Sequence, residues 1–282
     1  ARKGGQQSSS PRCRRYGAYL LPDLRLIDQI IGTLARGLQQ VPVTAKMRLC
    51  ATLPATIEAA CVMEAAGAAL VTVHGRTVKQ RPKYADRSLE ESMGLAPDWD
   101  AIKEVARAVS IPVVANGGIE FRSDAQRCLM HTGAAAVMAA EALLEDPDLF
   151  EGLEGENSAT EMMDKCPAFH GHDGVKRMAR LSREYLDLVE LFPATLQYPP
   201  TKSHLFKILH RLIGVDQAAA RQAEADGQNL TVQQEMKLQL MKCSVNHVAA
   251  IRATVDEIEA RYLSMDVPSI GTSWYRRWRQ LA

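Results

Sequence analysis

The sequence has no run of apolar residues approaching the roughly 20 that a bilayer-spanning helix needs. No signal-peptide pattern opens it either, so no membrane partner is expected. The six cysteines (Cys13, Cys50, Cys61, Cys128, Cys166 and Cys243) show no CxxC spacing. That excludes the common dithiol and zinc-ribbon motifs and suits reduced thiols in a cytosolic or nuclear setting. Aromatic residues make up only 5%, which disfavours an all-β protein. No GxGxxG follows the first predicted strand, which counts against a dinucleotide-binding sheet. The first residue is Ala1 and not Met, so the chain reads as a fragment, and a monomer is expected.

What is present is a chain of 282 residues, 46% hydrophobic, long enough for one large domain or two smaller ones. Its net charge of +1 hides an uneven distribution. Residues 1–15 carry Arg2, Lys3, Arg12, Arg14 and Arg15 and no acid; residues 270–282 carry Arg276, Arg277 and Arg279 and no acid. Basic ends on an acidic body suit contact with a polyanion. Residues 1–15 lack an apolar period and are expected to form a disordered basic segment.

Leu24, Ile27, Ile30, Ile31 and Leu34 recur at helical spacing between Asp23 and Leu38. Short apolar runs then alternate with helices. Strands are predicted at Val41–Leu49, Ala69–Val73, Ile111–Ala115 and Ala134–Ala139. Helices are predicted at Pro54–Ala66, at Trp99–Val109 and from a capping box at Ser123–Gln126 to about Gly133. This alternation implies parallel βαβ units, which an eight-stranded barrel and a doubly wound sheet both satisfy. From Val175 onward only helices are predicted, one of them carrying Leu205, Ile208, Leu209 and Leu212. The expected organisation is a partial barrel over residues 16–152, a linker over 153–174 and a helical domain over 175–282.

Chemistry-bearing residues gather at the predicted C-terminal ends of the four strands, where parallel barrels place their sites. Lys46 lies in a strand that otherwise reads as buried, a costly place for a cation without an anionic or polar ligand. His74 and Arg76 leave the second strand two residues apart, with Gly75 allowing close backbone approach. Asn116, Gly117 and Gly118 follow the third strand and precede a helix, an arrangement that can turn backbone N–H groups toward a phosphate. Ala140 and Glu141 follow the fourth strand.

The succession Pro42-Val-Thr-Ala-Lys-Met-Arg48, Val71-Thr-Val-His-Gly-Arg-Thr77, Pro112-Val-Val-Ala-Asn-Gly-Gly-Ile119 and Val137-Met-Ala-Ala-Glu-Ala142 resembles the tRNA-dihydrouridine synthases. Tyr16-Gly-Ala-Tyr-Leu20 and Lys202-Ser-His-Leu-Phe-Lys207 look most like the eukaryotic branch acting on D-loop uridines 16 and 17. The likeness covers about residues 16–215, with a gap over 150–180. It implies an α/β fold: the C-terminal part of an FMN-binding TIM barrel followed by an all-helical tRNA-binding domain. It implies that Lys46 and His74 contact FMN, that Asn116, Gly117, Gly118, Ala140 and Glu141 hold its phosphate, and that Arg76 lies near the substrate. It also implies reduction of FMN by NADPH, hydride transfer to C6 of a flipped-out uracil, and protonation of C5 by a cysteine. The family's Gly-Cys-Pro-Gln motif is not found before Tyr16, and Cys13, three residues before it, lacks that context. The four earlier barrel strands are likewise not found, residues 5–14 look like an insertion, and residues 78–97 are longer and more polar than the family's loop.

Other features point less specifically. His204, Lys207 and Arg211 fall on one face of a predicted helix, away from its leucines, as an RNA-phosphate stripe or a solvated face. Trp274 and Trp278 interleave with arginines, either as a stacking surface or as packing onto the body. Cys166, His170 and His172 lack a fourth zinc ligand, so no metal is expected. Two alternative functions remain on sequence grounds: a catalytically inactive RNA-binding remnant or isoform, and an FMN-dependent barrel oxidoreductase of a small metabolite.

Overall fold

A computed structural model of the chain describes residues 17–78, 96–151, 171–194, 199–215, 217–245 and 247–266. The basic termini, Cys13, Cys166, His170 and both C-terminal tryptophans lie outside them. The chain divides into two compact units. The first runs to Gly118 and takes in Arg127–Met138; the second comprises Ile119–Gln126 and everything from Ala139.

The first unit is built on four parallel strands, β1 (Thr44–Leu49), β2 (Leu70–Thr77), β3 (Val113–Asn116) and β4 (Ala136–Met138), lying side by side in chain order. A doubly wound sheet reverses its strand order at a switch point, whereas barrel staves follow one another without reversal. The unreversed order is that of successive staves of a (β/α) barrel. Val71, Val73 and Ala115 are fully buried in the sheet.

Helix α1 (Leu24–Gly37) starts at Asp23, whose carboxylate accepts the Leu26 N–H. Helix α2 (Leu53–Ala65) has Thr52 as its cap and Pro54 in its first turn, where the missing proline N–H costs nothing. It ends at Gly67, which adopts φ +103° as C-terminal cap glycines do. Helix α3 (Trp99–Ala108) is capped by Asp98 and buries Ile102 and Val105 completely. Burial of side chains of this size stabilises by about 1.5–3 kcal/mol each.

Three details differ from the sequence expectation. Strand β2 runs on through His74-Gly-Arg-Thr77, so its chemical residues belong to the strand and not to a turn after it. Helix α4 (Arg122–Thr132) begins before Ser123, and the expected Ser–Gln capping box does not form. Instead the Asp124 carboxylate accepts from the N–H groups of Glu120 and Phe121. Residues 171–174, expected in a linker, already belong to helix α5 (Gly171–Leu191).

The second unit, from α5 onward, is helical throughout its described residues: α6 (Thr201–Ile208), α7 (His210–Ile213), α8 (Gln217–Ala225), α9 (Val232–Lys242) and α10 (Val248–Leu263). Its core joins Met178 and Leu186 of α5, Leu205, Leu212, Met236 and Leu240 of α6, α7 and α9, and Ile251, Ile258 and Tyr262 of α10. The Tyr262 hydroxyl donates to the Leu212 carbonyl inside it. Helices α5 and α10 run antiparallel, as their cross-pairs show: Arg183 with Asp256 and Glu259, Arg252 with Asp187 and Glu190. The single helix expected around Leu205 is broken at Leu209, whose φ −89° and ψ 9° leave helical geometry.

Candidate functional site

The sheet register brings one row of residues together at the C-terminal strand ends. Arg48 of β1 is the partner of His74 of β2, His74 of Asn116 of β3, and Asn116 of Met138 of β4. Side chains in one row of a parallel sheet share a face. Lys46, two residues before Arg48, joins that face; the register shifts after Arg48, where Leu49 pairs with Thr77, and Arg76 is placed beside the row by its contact with His74. Lys46, Arg48 and Arg76 thus form a cationic group around His74 at the C-terminal strand ends.

The electrostatics follow from this crowding. Burial, then the charges of Arg48, Arg76 and Lys46, hold His74 down at a pKa of about 3, so the imidazole is neutral near pH 7. Arg76 Nη1 lies 3.3 Å from His74 Nε2. A guanidinium can only donate, so Nε2 must accept and Nδ1 carries the proton. Lys46 is exposed, not buried as its strand pattern suggested. Its ammonium is nonetheless held below the usual lysine range by partial shielding and by Arg48. Arg48 is fixed by donating from Nη1 to the Thr77 carbonyl, 3.0 Å away.

Asn116 is buried, and its Nδ2 donates to the Met138 carbonyl at 2.7 Å, tying the ends of β3 and β4 together. Gly117 and Gly118 then turn with φ +104° and +80°, conformations that glycine alone adopts without strain. Space imposes the same demand. A Cβ on Gly117 would meet the His74 ring at 2.9 Å, and one on Gly118 would meet Pro97 Cγ at 2.6 Å.

Lys46, His74, Arg76, Asn116, Gly117 and Gly118 are therefore gathered in one unit. Ala140 and Glu141 follow β4 in the chain but belong to the second unit. There Ala140 is exposed, and Glu141 precedes the short turn Ala142–Leu144. Sequence reasoning passed over Arg48, although its spacing from Lys46 placed both on one face. It also missed Pro97 and Trp99, for which no local signal exists: only the fold brings the start of α3 against the glycine turn.

In the helical unit the expected stripe does not survive as one surface. Arg211 is buried, and its Nε pairs with Glu145 Oε1 at 2.7 Å. The break at Leu209 resets the helical phase and turns Arg211 inward. His204 Nδ1 lies 2.7 Å from the Tyr185 hydroxyl, and of the three expected stripe residues Lys207 is the partly exposed cation. Lys202 caps α9 by donating to the carbonyls of Met241 and Cys243. His172 bonds the Met265 carbonyl. Among the described residues, no group of three or more His, Cys, Asp or Glu side chains is placed to hold a metal, and no helix is long and apolar enough to cross a membrane.

Residues 10–252 match the family model for dihydrouridine synthase. A protein of Rattus norvegicus named tRNA-dihydrouridine(16/17) synthase-like, of the NAD(P)(+) kind, is 37% identical over 203 residues, covering 72% of this chain and 39% of that protein. The Saccharomyces cerevisiae tRNA-dihydrouridine(16/17) synthase is 34% identical over 197 residues, covering 69% of this chain and 41% of that protein. A probable tRNA-dihydrouridine synthase of Rhodobacter capsulatus is 37% identical over 187 residues. The chain spans about two fifths of the length of the rat and yeast relatives.

Proposed function

This chain belongs to the dihydrouridine synthase family, and on that premise we propose that it serves the flavin-dependent reduction of uridine to 5,6-dihydrouridine in the D-loop of tRNA. The observation that carries the proposal is the cluster at the strand ends: Lys46, Arg48 and Arg76 around the His74 imidazole, beside a turn that only glycines can make. Such a face suits an elongated anion bearing both a polar ring and a phosphate, which describes FMN. FMN held there would, once reduced by NADPH, supply the hydride.

The residues of the chain have separable tasks. The Lys46 ammonium would hold the polar edge of the flavin ring. The neutral His74, with its proton on Nδ1, donates a hydrogen bond without adding a charge. Arg48 and Arg76 lend positive potential to the mouth, which favours a polyanionic substrate and raises its rate of encounter. Gly117 and Gly118 would let the backbone approach the phosphate closely, and Asn116 holds the ends of β3 and β4 together. The residues from Gly171 onward, with Lys207 at their surface, form the tRNA-contacting domain in this proposal. The Arg211 guanidinium takes no part in that contact, because Glu145 already occupies it.

The test is the dihydrouridine content of the D-loop in tRNA from cells lacking the protein. Loss of dihydrouridine is expected. Unchanged tRNA together with an altered small-molecule pool would favour a metabolite oxidoreductase instead.

A further inference from the structure

Trp99 lies outside the row of strand-end residues, yet its indole reaches the glycine turn. Its Nε1–H donates to the Gly117 carbonyl at 3.1 Å. The segment leading to it is held at the same place from the other side: the Asp98 N–H donates to the Gly75 carbonyl at 2.6 Å. A Cβ added at Gly75 would meet Asp98 backbone atoms at 3.0 Å. One added at Gly118 would meet Pro97 Cγ at 2.6 Å and Trp99 Cζ2 at 3.4 Å. Pro97–Trp99 therefore presses on three glycines, and the lack of side chains at Gly75, Gly117 and Gly118 is what admits it.

We propose that Trp99 is a positioning residue that aims the Gly118 N–H into the anion site. The reason lies in peptide geometry. The Gly117 carbonyl and the Gly118 N–H belong to one planar unit and, in a trans peptide, point in opposite directions. No described peptide bond is cis. Holding the Gly117 oxygen toward the indole thus turns the Gly118 N–H away from it. Two successive glycines with positive φ would otherwise sample many orientations of that plane, and one hydrogen bond selects a single orientation before any ligand arrives. The tilted His131 ring lies 6.1 Å from the Trp99 ring and is itself bonded to Asp100 at 2.8 Å. Trp99 touches no reacting group; it acts through Gly117.

This inference rests on the reading of the site as a flavin phosphate site, and the experiment separates the two. Trp99→Phe, made in the full chain, keeps the ring and removes the donor. Two probes are titrated into parent and variant: FMN, and riboflavin, which lacks the phosphate. FMN affinity should fall about tenfold in the variant while riboflavin affinity stays unchanged. Equal loss for both ligands, or no loss for FMN, overturns the proposal. The NMR order parameter of the Gly118 amide in the unliganded chain decides the matter even if the parent binds neither flavin, an outcome that would count against the flavin reading alone. It should fall in the variant, because the peptide plane is no longer held, with β1 unaffected. An unchanged order parameter there, or a fall spread through β1 as well, overturns the positioning role.

Discussion

Arg211 and Glu145 form an ion pair 2.7 Å long in which both side chains are almost out of reach of solvent. A buried pair of this kind adds little over well-packed apolar residues, but breaking it removes the countercharge from a buried cation. Glu145→Gln should therefore lower the unfolding free energy by about 3–5 kcal/mol, read from denaturant unfolding. Replacing both residues together with leucine and methionine should recover most of that loss. A Glu145→Gln protein as stable as the parent would show that the pair is not buried in solution.

The same pair explains one limit of the sequence. Helical spacing put His204, Lys207 and Arg211 on one face, and that spacing holds only while the helix is continuous. The break at Leu209 depends on packing around Leu205, Leu209 and Leu212, which local pattern does not contain. The four-strand alternation was legible because each buried strand is a short apolar run bounded by turn residues. The site was legible where chemistry sat inside such a run, as with Lys46, His74 and Asn116. Trp99 was not, because its contact with Gly117 joins residues 18 apart in the chain through the register of β2 and β3.

Lys207 remains the testable cation of α6. Lys207→Glu should weaken tRNA binding across different tRNAs without changing their ranking. It should also reduce the slope of log affinity against log salt by about one. Binding measured at two salt concentrations checks this, and unaltered affinity at low salt would remove Lys207 from the interface.

His74 should stay neutral far into acid. An unfolded histidine takes up its proton near 6.5, whereas the folded His74 does so only near 3. The unfolded state therefore binds the extra proton between those values. The stability linked to this group is complete above pH 6.5 and is lost as the pH falls toward 3. NMR titration of the ring should show no transition near 6.5, and the acid-dependent loss of stability should be smaller in His74→Gln. A His74 ring titrating near 6.5 would contradict the crowded, shielded environment.

Gly118→Ala should be more damaging than its single methyl suggests. The new Cβ would lie 2.6 Å from Pro97 Cγ on a backbone with φ +80°, so the turn must open. FMN affinity should fall by at least tenfold, measured by quenching of flavin fluorescence, while Gly133→Ala, whose Cβ meets nothing within 4 Å, leaves it unchanged.

On the proposed function, reduction of tRNA uridine depends on the strand-end face around Lys46 and His74. The most direct measurement is the D-loop dihydrouridine content of tRNA from cells lacking the protein, complemented with the natural gene or with the same gene carrying Lys46→Ala. The natural gene should restore dihydrouridine. The Lys46→Ala gene, expressed to the same level, should restore at most a small fraction. Full restoration by Lys46→Ala, or no loss of dihydrouridine in the uncomplemented cells, would contradict the account.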